Sequence, residues 1–309
     1  MILDGDKWKV EDMPDMTGET VVVTGANSGL GFEAAKGFTR KNAEVVMACR
    51  DTERAQDAKE DIETEIDDAR LEVIQLDLAS LESVDEFVEE FKQEHSRLDV
   101  LCNNAGVMAI PYSETEDGFE KQIGVNHLGH FALTAGLIDT LQETENSRII
   151  LQSSGLHRNA DLEVENLMQE RSYDKWRQYA NSKLANVLFS YELDRRLEDD
   201  TSALACHPGY ADTHLQIVGP EKEGSRAKKI GAKITNKIVA QSASMGALPM
   251  MYAATSEDVE SGDFIGPAGI MQMRGYPEKQ ESSEASHDRD LAERLWERSE
   301  ELTGKEFNL

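Results

Sequence analysis

The chain has 309 residues, 39% of them hydrophobic, enough to bury a substantial core within one domain. Asp and Glu total 60 against 32 Lys and Arg, a formal net charge of -28 that repels phosphate backbones and argues against nucleic acid as a partner. The acidic residues are spread over nearly every helix and loop rather than gathered in a tail, which points to a protein built for concentrated salt, where self-repulsion is screened over roughly 3 Å at 1 M.

Residues 1–16 are charged and lack the apolar stretch of a signal peptide. A β-branched run at 20–24 reads as a buried strand, and a glycine loop then leads into a helix over 30–40. Residues 44–49 form the second predicted strand, 51–67 a charged surface helix and 71–76 the third strand. Ser80 can cap the helix that follows. Further strands are expected at 97–101, 148–151 and 201–206, with long helices over 116–141 and 173–197 between them. Beyond Gly209 the pattern loosens, and residues 210–240 read as a Lys-, Gly- and Glu-rich flap beside the substrate. A helix over 239–254, a short last strand over 263–265, a polar loop over 278–288 and a docked terminal helix over 288–303 complete the chain.

Short apolar runs alternating with helices argue for βαβ units. The expected fold class is α/β, a Rossmann-like doubly wound parallel sheet of about seven strands with helices on both faces, in a single domain spanning 1–309. No apolar run approaches the roughly 18 residues of a membrane span, so a cytoplasmic protein with no membrane anchor is expected. The wide spacing of Cys49, Cys102 and Cys206 suits reduced core residues, not zinc ligands or disulfides.

Residues 21–31 read VVVTGANSGLG, a strand entering a turn that contains Gly25, Asn27, Ser28, Gly29, Leu30 and Gly31. Glycines there let backbone approach a pyrophosphate and deliver the anion to a helix N-terminus. Where an Asp or Glu would accept hydrogen bonds from a free adenosine ribose, the second strand ends in Cys49-Arg50-Asp51. Arg50 can give a bidentate, charge-assisted bond to a 2′-phosphate, which favours NADP(H). Asp51 either serves a ribose hydroxyl or caps the next helix.

Tyr179 and Lys183 stand at i and i+4, stacked on one helix face. A nearby ammonium favours the tyrosinate and is expected to lower the phenol pKa from roughly 10, toward acid–base work near neutral pH. Ser153 and Ser154 fall at the end of the fifth strand, where a hydroxyl can stabilise charge developing on a substrate oxygen.

In this order the chain carries TGANSGLG at 24–31, ACR at 48–50, LDLAS at 76–80, NNAG at 103–106, VNHLGHF at 125–131, SS at 153–154, YANSK at 179–183 and HPG at 207–209. On these fragments it resembles the short-chain dehydrogenase/reductase family, and most closely the branch of retinol dehydrogenases, WW-domain oxidoreductases and protochlorophyllide reductase. The resemblance implies Tyr179 as general acid or base and Lys183 as the residue that binds the nicotinamide ribose and tunes Tyr179. It implies Ser154, more than Ser153, as the group orienting the carbonyl, and Asn126, at a helix bend, as holder of a water linked to Lys183. Asp77 and Leu78 would flank the adenine, and Asn104, Ala105 and Gly106 would line its ribose. Pro208 and Gly209 would pass beside the nicotinamide, with Thr213 reaching its carboxamide or phosphate. The Ser-to-Tyr interval is longer than is typical of the wider family and resembles the retinol-dehydrogenase branch. It inserts residues 157–172 beside the expected substrate mouth.

The substrate implied is a small apolar aldehyde, ketone or alcohol; the rival reading is a non-catalytic NADP(H)-binding sensor or scaffold. His127 and His130 could share a helix face, but no further ligand completes a metal set, and no metal is expected. Trp176 either covers the substrate or packs, Trp296 docks the terminal helix, and the methionines at 245–251 line either core or pocket. The two long helices offer faces for a homodimer or homotetramer.

Overall fold

The computed structural model describes residues 7–169, 172–198, 200–210, 241–269 and 272–309. Its strands are Thr20–Thr24 (β1), Glu44–Cys49 (β2), Arg70–Gln75 (β3), Val100–Asn103 (β4), Ser147–Gln152 (β5), Thr201–Cys206 (β6), Phe264–Pro267 (β7) and Pro277–Gln280 (β8). They pair in the order β3-β2-β1-β4-β5-β6-β7-β8, parallel throughout except for β7 with β8. The helices are Gly29–Thr39 (α1), Thr52–Glu63 (α2), Leu81–Glu94 (α3), Lys121–Ile123 (α4), Gly129–Gln142 (α5), Lys175–Arg196 (α6), Ala243–Thr255 (α7) and Arg289–Thr303 (α8). The order of strands reverses between β1 and β4, the switch point at which open α/β sheets bind ligands.

The central strands are buried on both faces, so they read as unbroken apolar runs without alternation. Successive side chains nevertheless go to opposite layers. Val21, Val23, Val45 and Met47 pack with α1 and α7, whereas Val22, Val46 and Leu101 pack with α3, α5 and α6. Met250 and Met251 belong to the first of these layers. A Cβ at Gly37 would lie 2.3 Å from the Met251 sulfur, so α7 presses closely on α1.

Three expectations need correction. The stretch over 278–288, read as polar loop, opens with most of β8, which brings the sheet to eight strands among the described residues. The β8 sequence, PEKQ, has no strand character of its own; pairing with β7 makes it a strand. Next, the helix expected over 116–141 is short at its start and interrupted by a π-helical turn, Gly124–Leu128, between α4 and α5. Such single turns of π-helix commonly mark functional positions. Finally, α6 offers no free face for self-association. Every residue from Gln178 to Leu193 is buried, because α8 covers the side turned away from the sheet. Leu184 and Leu188 of α6 meet Ala292 and Leu295 of α8. Trp296, 3% exposed, packs its ring against Phe131 at 5.3 Å and Phe307 at 4.5 Å, which docks the terminal helix as expected. No described helix is long and apolar enough to cross a membrane.

Candidate active site

The glycine loop lies at the carboxyl end of β1. Gly25 and Gly29 have φ of 69° and 59°, in the left-handed region that favours glycine. Gly31 is small for a different reason: a Cβ there would lie 2.4 Å from the Gly25 carbonyl oxygen. Ser28 is the N-cap of α1 but makes no side-chain cap bond, so it does not satisfy the first-turn N–H groups that an anion would need. Asn27 and Ser28 border a cavity of about 300 Å³ together with Phe32, Arg54, Asp57, Ala58 and Asp61. Arg54 escaped the sequence reading; the available signal was a second arginine in the first turn of the helix that follows Arg50. None of the four candidate catalytic residues lines this cavity.

The segment after β4 ties this loop to the candidate catalytic residues. Thr24 Oγ1 accepts from the backbone N–H of Asn104 and of Ala105, each at 2.9 Å. Asn104 Nδ2 donates back to the Thr24 carbonyl at 2.7 Å. A Cβ at Gly106 would lie 3.0 Å from Asn126 Oδ1 and 3.6 Å from Lys183 Nζ. Arg50 is exposed, its Nε 3.9 Å from Asp77 Oδ2. Asp51 Oδ1 accepts from the Arg54 N–H at 3.1 Å and so caps α2. Asp77 Oδ1 accepts from the Ala79 N–H at 3.0 Å, while Leu78 is buried against Gly129.

Tyr179 and Lys183 project from one face of α6, Nζ lying 5.9 Å from the centre of the phenol ring. Both are buried, at 6% and 4% exposure. The Ser154 side chain lies close enough to the Tyr179 phenol to act on its acidity, while Ser154 Oγ accepts from the Leu156 N–H at 3.3 Å. Lys183 Nζ donates to the Gln152 carbonyl at 2.9 Å. Burial pushes the Tyr179 phenol up to about 12, with the Ser154 side chain acting in the opposite sense. Burial likewise lowers Lys183 to about 8. The expected depression of the tyrosine is therefore reversed: desolvation disfavours charge on both groups, and the lysine bonds the Gln152 carbonyl.

The adjacent serines divide. Ser153 is 2% exposed and its Oγ donates to the Lys183 carbonyl at 2.8 Å, a packing contact. Ser154 opens a short 3-10 turn, Gly155–Asn159, and faces Tyr179. Asn126 sits in the π-helical turn, where its Nδ2 donates to the Val107 carbonyl and to Ser182 Oγ, both at 2.9 Å. Its Oδ1 accepts from the Val107 N–H at 2.8 Å, so this side chain locks the segment after β4 onto α6. The Asn126 carbonyl accepts from His130 Nδ1 at 3.1 Å, and His130 Nε2 meets Thr24 Oγ1 at 2.9 Å. His127 Nε2 meets Ser299 Oγ at 2.9 Å. Both histidines are thus packing groups, and no described cluster of three or more His, Cys, Asp or Glu side chains is arranged to hold a metal ion.

Gln241 Nε2 donates to the Pro208 carbonyl at 2.6 Å, and Gly209, with φ of 65°, turns the chain after β6. Thr213 and the flap beyond Tyr210, residues 211–240, lie outside the described residues. At the outer rim Trp176 is 50% and Tyr112 45% exposed, so Trp176 is not a core residue. Buried Gln122 joins two walls of this rim: its Oε1 accepts from the Ala109 N–H, and its Nε2 donates to the Tyr173 hydroxyl, each at 2.7 Å. Nothing in the sequence marked Gln122, since a polar residue in a helical pattern reads as solvent-facing.

The short chain dehydrogenase family matches residues 19–224. Retinol dehydrogenase 14 of Mus musculus is 40% identical over 302 residues, 94% of this chain and 87% of that protein. Polyprenol dehydrogenase of Danio rerio is 35% identical over 306 residues, 96% of this chain and 90% of its own. Among solved structures, an uncharacterized protein from Mycobacterium paratuberculosis superposes with a TM-score of 0.80 at 38% identity, covering 98% of this chain and 100% of that one. A short chain dehydrogenase from Shigella flexneri complexed with NADP shares the fold, with a TM-score of 0.64 at 20% identity over 82% of this chain and 98% of its own. Ordered glycine loop, buried Tyr–Lys pair, facing serine and full-length similarity agree: the chain belongs to the short-chain dehydrogenase/reductase family, in its retinol dehydrogenase-like branch.

Proposed function

We propose that this protein is an NADP(H)-dependent oxidoreductase acting on an apolar aldehyde, ketone or alcohol. The observation that carries the proposal is the Ser154–Tyr179 contact, with Lys183 one helical turn behind it. The residues fit a dinucleotide: the pyrophosphate would lie on the loop from Gly25 to Gly31, which folds so tightly that a Cβ at Gly31 would strike the Gly25 carbonyl and Asn104. Asn27, Ser28 and Leu30 belong to that loop, and Arg50 would read a 2′-phosphate. Asp77, Leu78, Asn104, Ala105 and Gly106 would border the adenosine half. Pro208, Gly209 and Thr213 would border the nicotinamide half.

When bound, that cofactor supplies or accepts the hydride. The chain supplies the proton and the orientation. Ser154 would hold the substrate oxygen beside the Tyr179 hydroxyl. With its pKa pushed up to about 12, Tyr179 keeps its proton at neutral pH, the state a reduction needs at its outset. Lys183 would bind ribose hydroxyls and stabilise the tyrosinate left after proton donation. Asn126 holds the segment around Gly106 and Val107 against α6, and a water linked to Lys183 would be held by its backbone. An apolar substrate is supported by relatives named for retinol and polyprenol, and by the exposed rings of Trp176 and Tyr112 at the rim.

The test is NADPH oxidation with aliphatic aldehydes, benzaldehyde and retinal in molar KCl. Tyr179→Phe should lower kcat by about 10²–10⁴-fold while NADPH binding, read by fluorescence, survives. Retained turnover would defeat the assignment.

A further inference from the structure

His157 lies in the stretch that lengthens the Ser-to-Tyr interval, and it is 1% exposed. Its Nδ1 meets the Ser154 carbonyl at 2.7 Å, and its Nε2 meets the backbone N–H of Ser283 at 3.1 Å. A carbonyl only accepts and a backbone N–H only donates, so the ring is neutral with its proton on Nδ1. Burial agrees, lowering His157 to about 4. The same carbonyl also accepts the His157 backbone N–H at 3.0 Å, so Ser154 is held at its carbonyl by one residue through two bonds.

The segment grasped by His157 is anchored independently. Arg158 donates to the Ser282 carbonyl at 3.1 Å and to the Glu281 carbonyl at 2.5 Å. Ser282 Oγ meets the Tyr191 hydroxyl on α6 at 2.8 Å. Two residues earlier, Gln280 Oε1 meets His207 Nε2 at 3.0 Å, at the start of the turn through Pro208 and Gly209. Phe264 touches both imidazoles, edge-on to His157 at 5.1 Å and stacked on His207 at 5.4 Å. Four consecutive residues, 280–283, therefore brace from behind both the serine turn and the turn after β6.

We propose that His157 is a positioning residue, which transmits the placement of the segment 280–283 to Ser154 and so sets the direction of the serine hydroxyl. The inference rests on the role given to Ser154 above. A misplacement of about 1 Å at such a group is enough to cost about a hundredfold in rate. Asn in place of His157 can still donate to the Ser154 carbonyl but cannot reach Ser283, and Gln can reach Ser283 but gives up the side-chain bond to the Ser154 carbonyl, leaving only the backbone one.

The experiment is a double-mutant cycle on kcat for decanal with NADPH, using Ser154→Ala, His157→Asn, His157→Gln and the two combinations. Each histidine variant should lose about tenfold or more in kcat with the NADPH Kd nearly unchanged. In the Ser154→Ala background neither should cost anything further, because the group it positions is gone. Losses that multiply, or histidine variants with the kcat of the parent, would overturn the inference. Should Ser154→Ala itself turn over normally, the assignment of Ser154 fails, and the inference with it. If the histidine variants do not fold, Arg158→Gln loosens the same segment from outside and should show the same non-additivity; additive losses there would count equally against it.

Discussion

Lys183 combines its proposed place beside Tyr179 in the reaction with an unfavourable environment, and the consequence can be measured. Its pKa falls from 10.5 to about 8 on burial, a differential of about 3 kcal/mol against the charged form. Lys183→Met removes that charge at similar length and forgoes an Nζ hydrogen bond worth about 1 kcal/mol. The Gln152 carbonyl is not orphaned, because Asn186 Nδ2 donates to it at 3.1 Å. The net expectation at neutral pH is a gain of about 2 kcal/mol, a rise in Tm of about 3 °C for a chain of this length, with turnover abolished. The pH dependence has a definite sign. The folded pKa lies below the unfolded one, so between about 8 and 10.5 the unfolded state binds the extra proton. This lysine therefore makes stability rise with pH across that window and leaves its full penalty in place below it. Buried Cys206 and Tyr179, with raised pKa values, act oppositely above their ordinary range; Cys206 also feels the lysine's charge, so the difference between parent and variant reports the lysine together with that coupling. Urea unfolding of both proteins at several pH values is the assay. A variant with unchanged or lower Tm, or with the same slope through the window, would refute the reasoning.

Other predictions follow from single contacts. Arg50→Ala should weaken NADPH about tenfold to a hundredfold, the loss of a charge-assisted pair, and leave NADH affinity nearly unchanged; isothermal titration with both cofactors checks this. Gly31→Ala should abolish binding of either cofactor, since its Cβ meets the Gly25 carbonyl oxygen at 2.4 Å, and a variant that still titrates with NADPH would show that the loop yields. With a net charge of -28, activity and Tm should both fall as KCl is dialysed away, and full retention in dilute buffer would remove the case for salt adaptation.

Much of the fold was legible because local chemistry and tertiary position agreed. The strand at 20–24 is unbrokenly apolar because both faces of β1 are covered, and the glycines after it answer to backbone geometry. Arg50, the Ser153–Ser154 pair, Tyr179 and Lys183 stood out as candidates by order and spacing, which survive in a linear string. Elements whose structure comes from a partner were not legible. β8 takes its form from β7, and the break at Gly124–Leu128 gives no compositional signal. The buried Gln122 and His157 look like surface residues until the segments they join are brought together.

The sequence by itself determined the parallel part of the sheet and the glycine loop, and it singled out the candidate reacting groups, since each depends on residues close in the chain or on a fixed period. Tertiary structure alone decided three things: that the Ser153 hydroxyl is taken up by the Lys183 carbonyl, that α8 closes the outer face of α6, and that both the tyrosine and the lysine are driven toward their neutral forms. The reason is common to all three. Burial and the direction of a hydroxyl are set by what the rest of the chain places around a residue, and desolvation there outweighs the attraction that the i, i+4 spacing suggested.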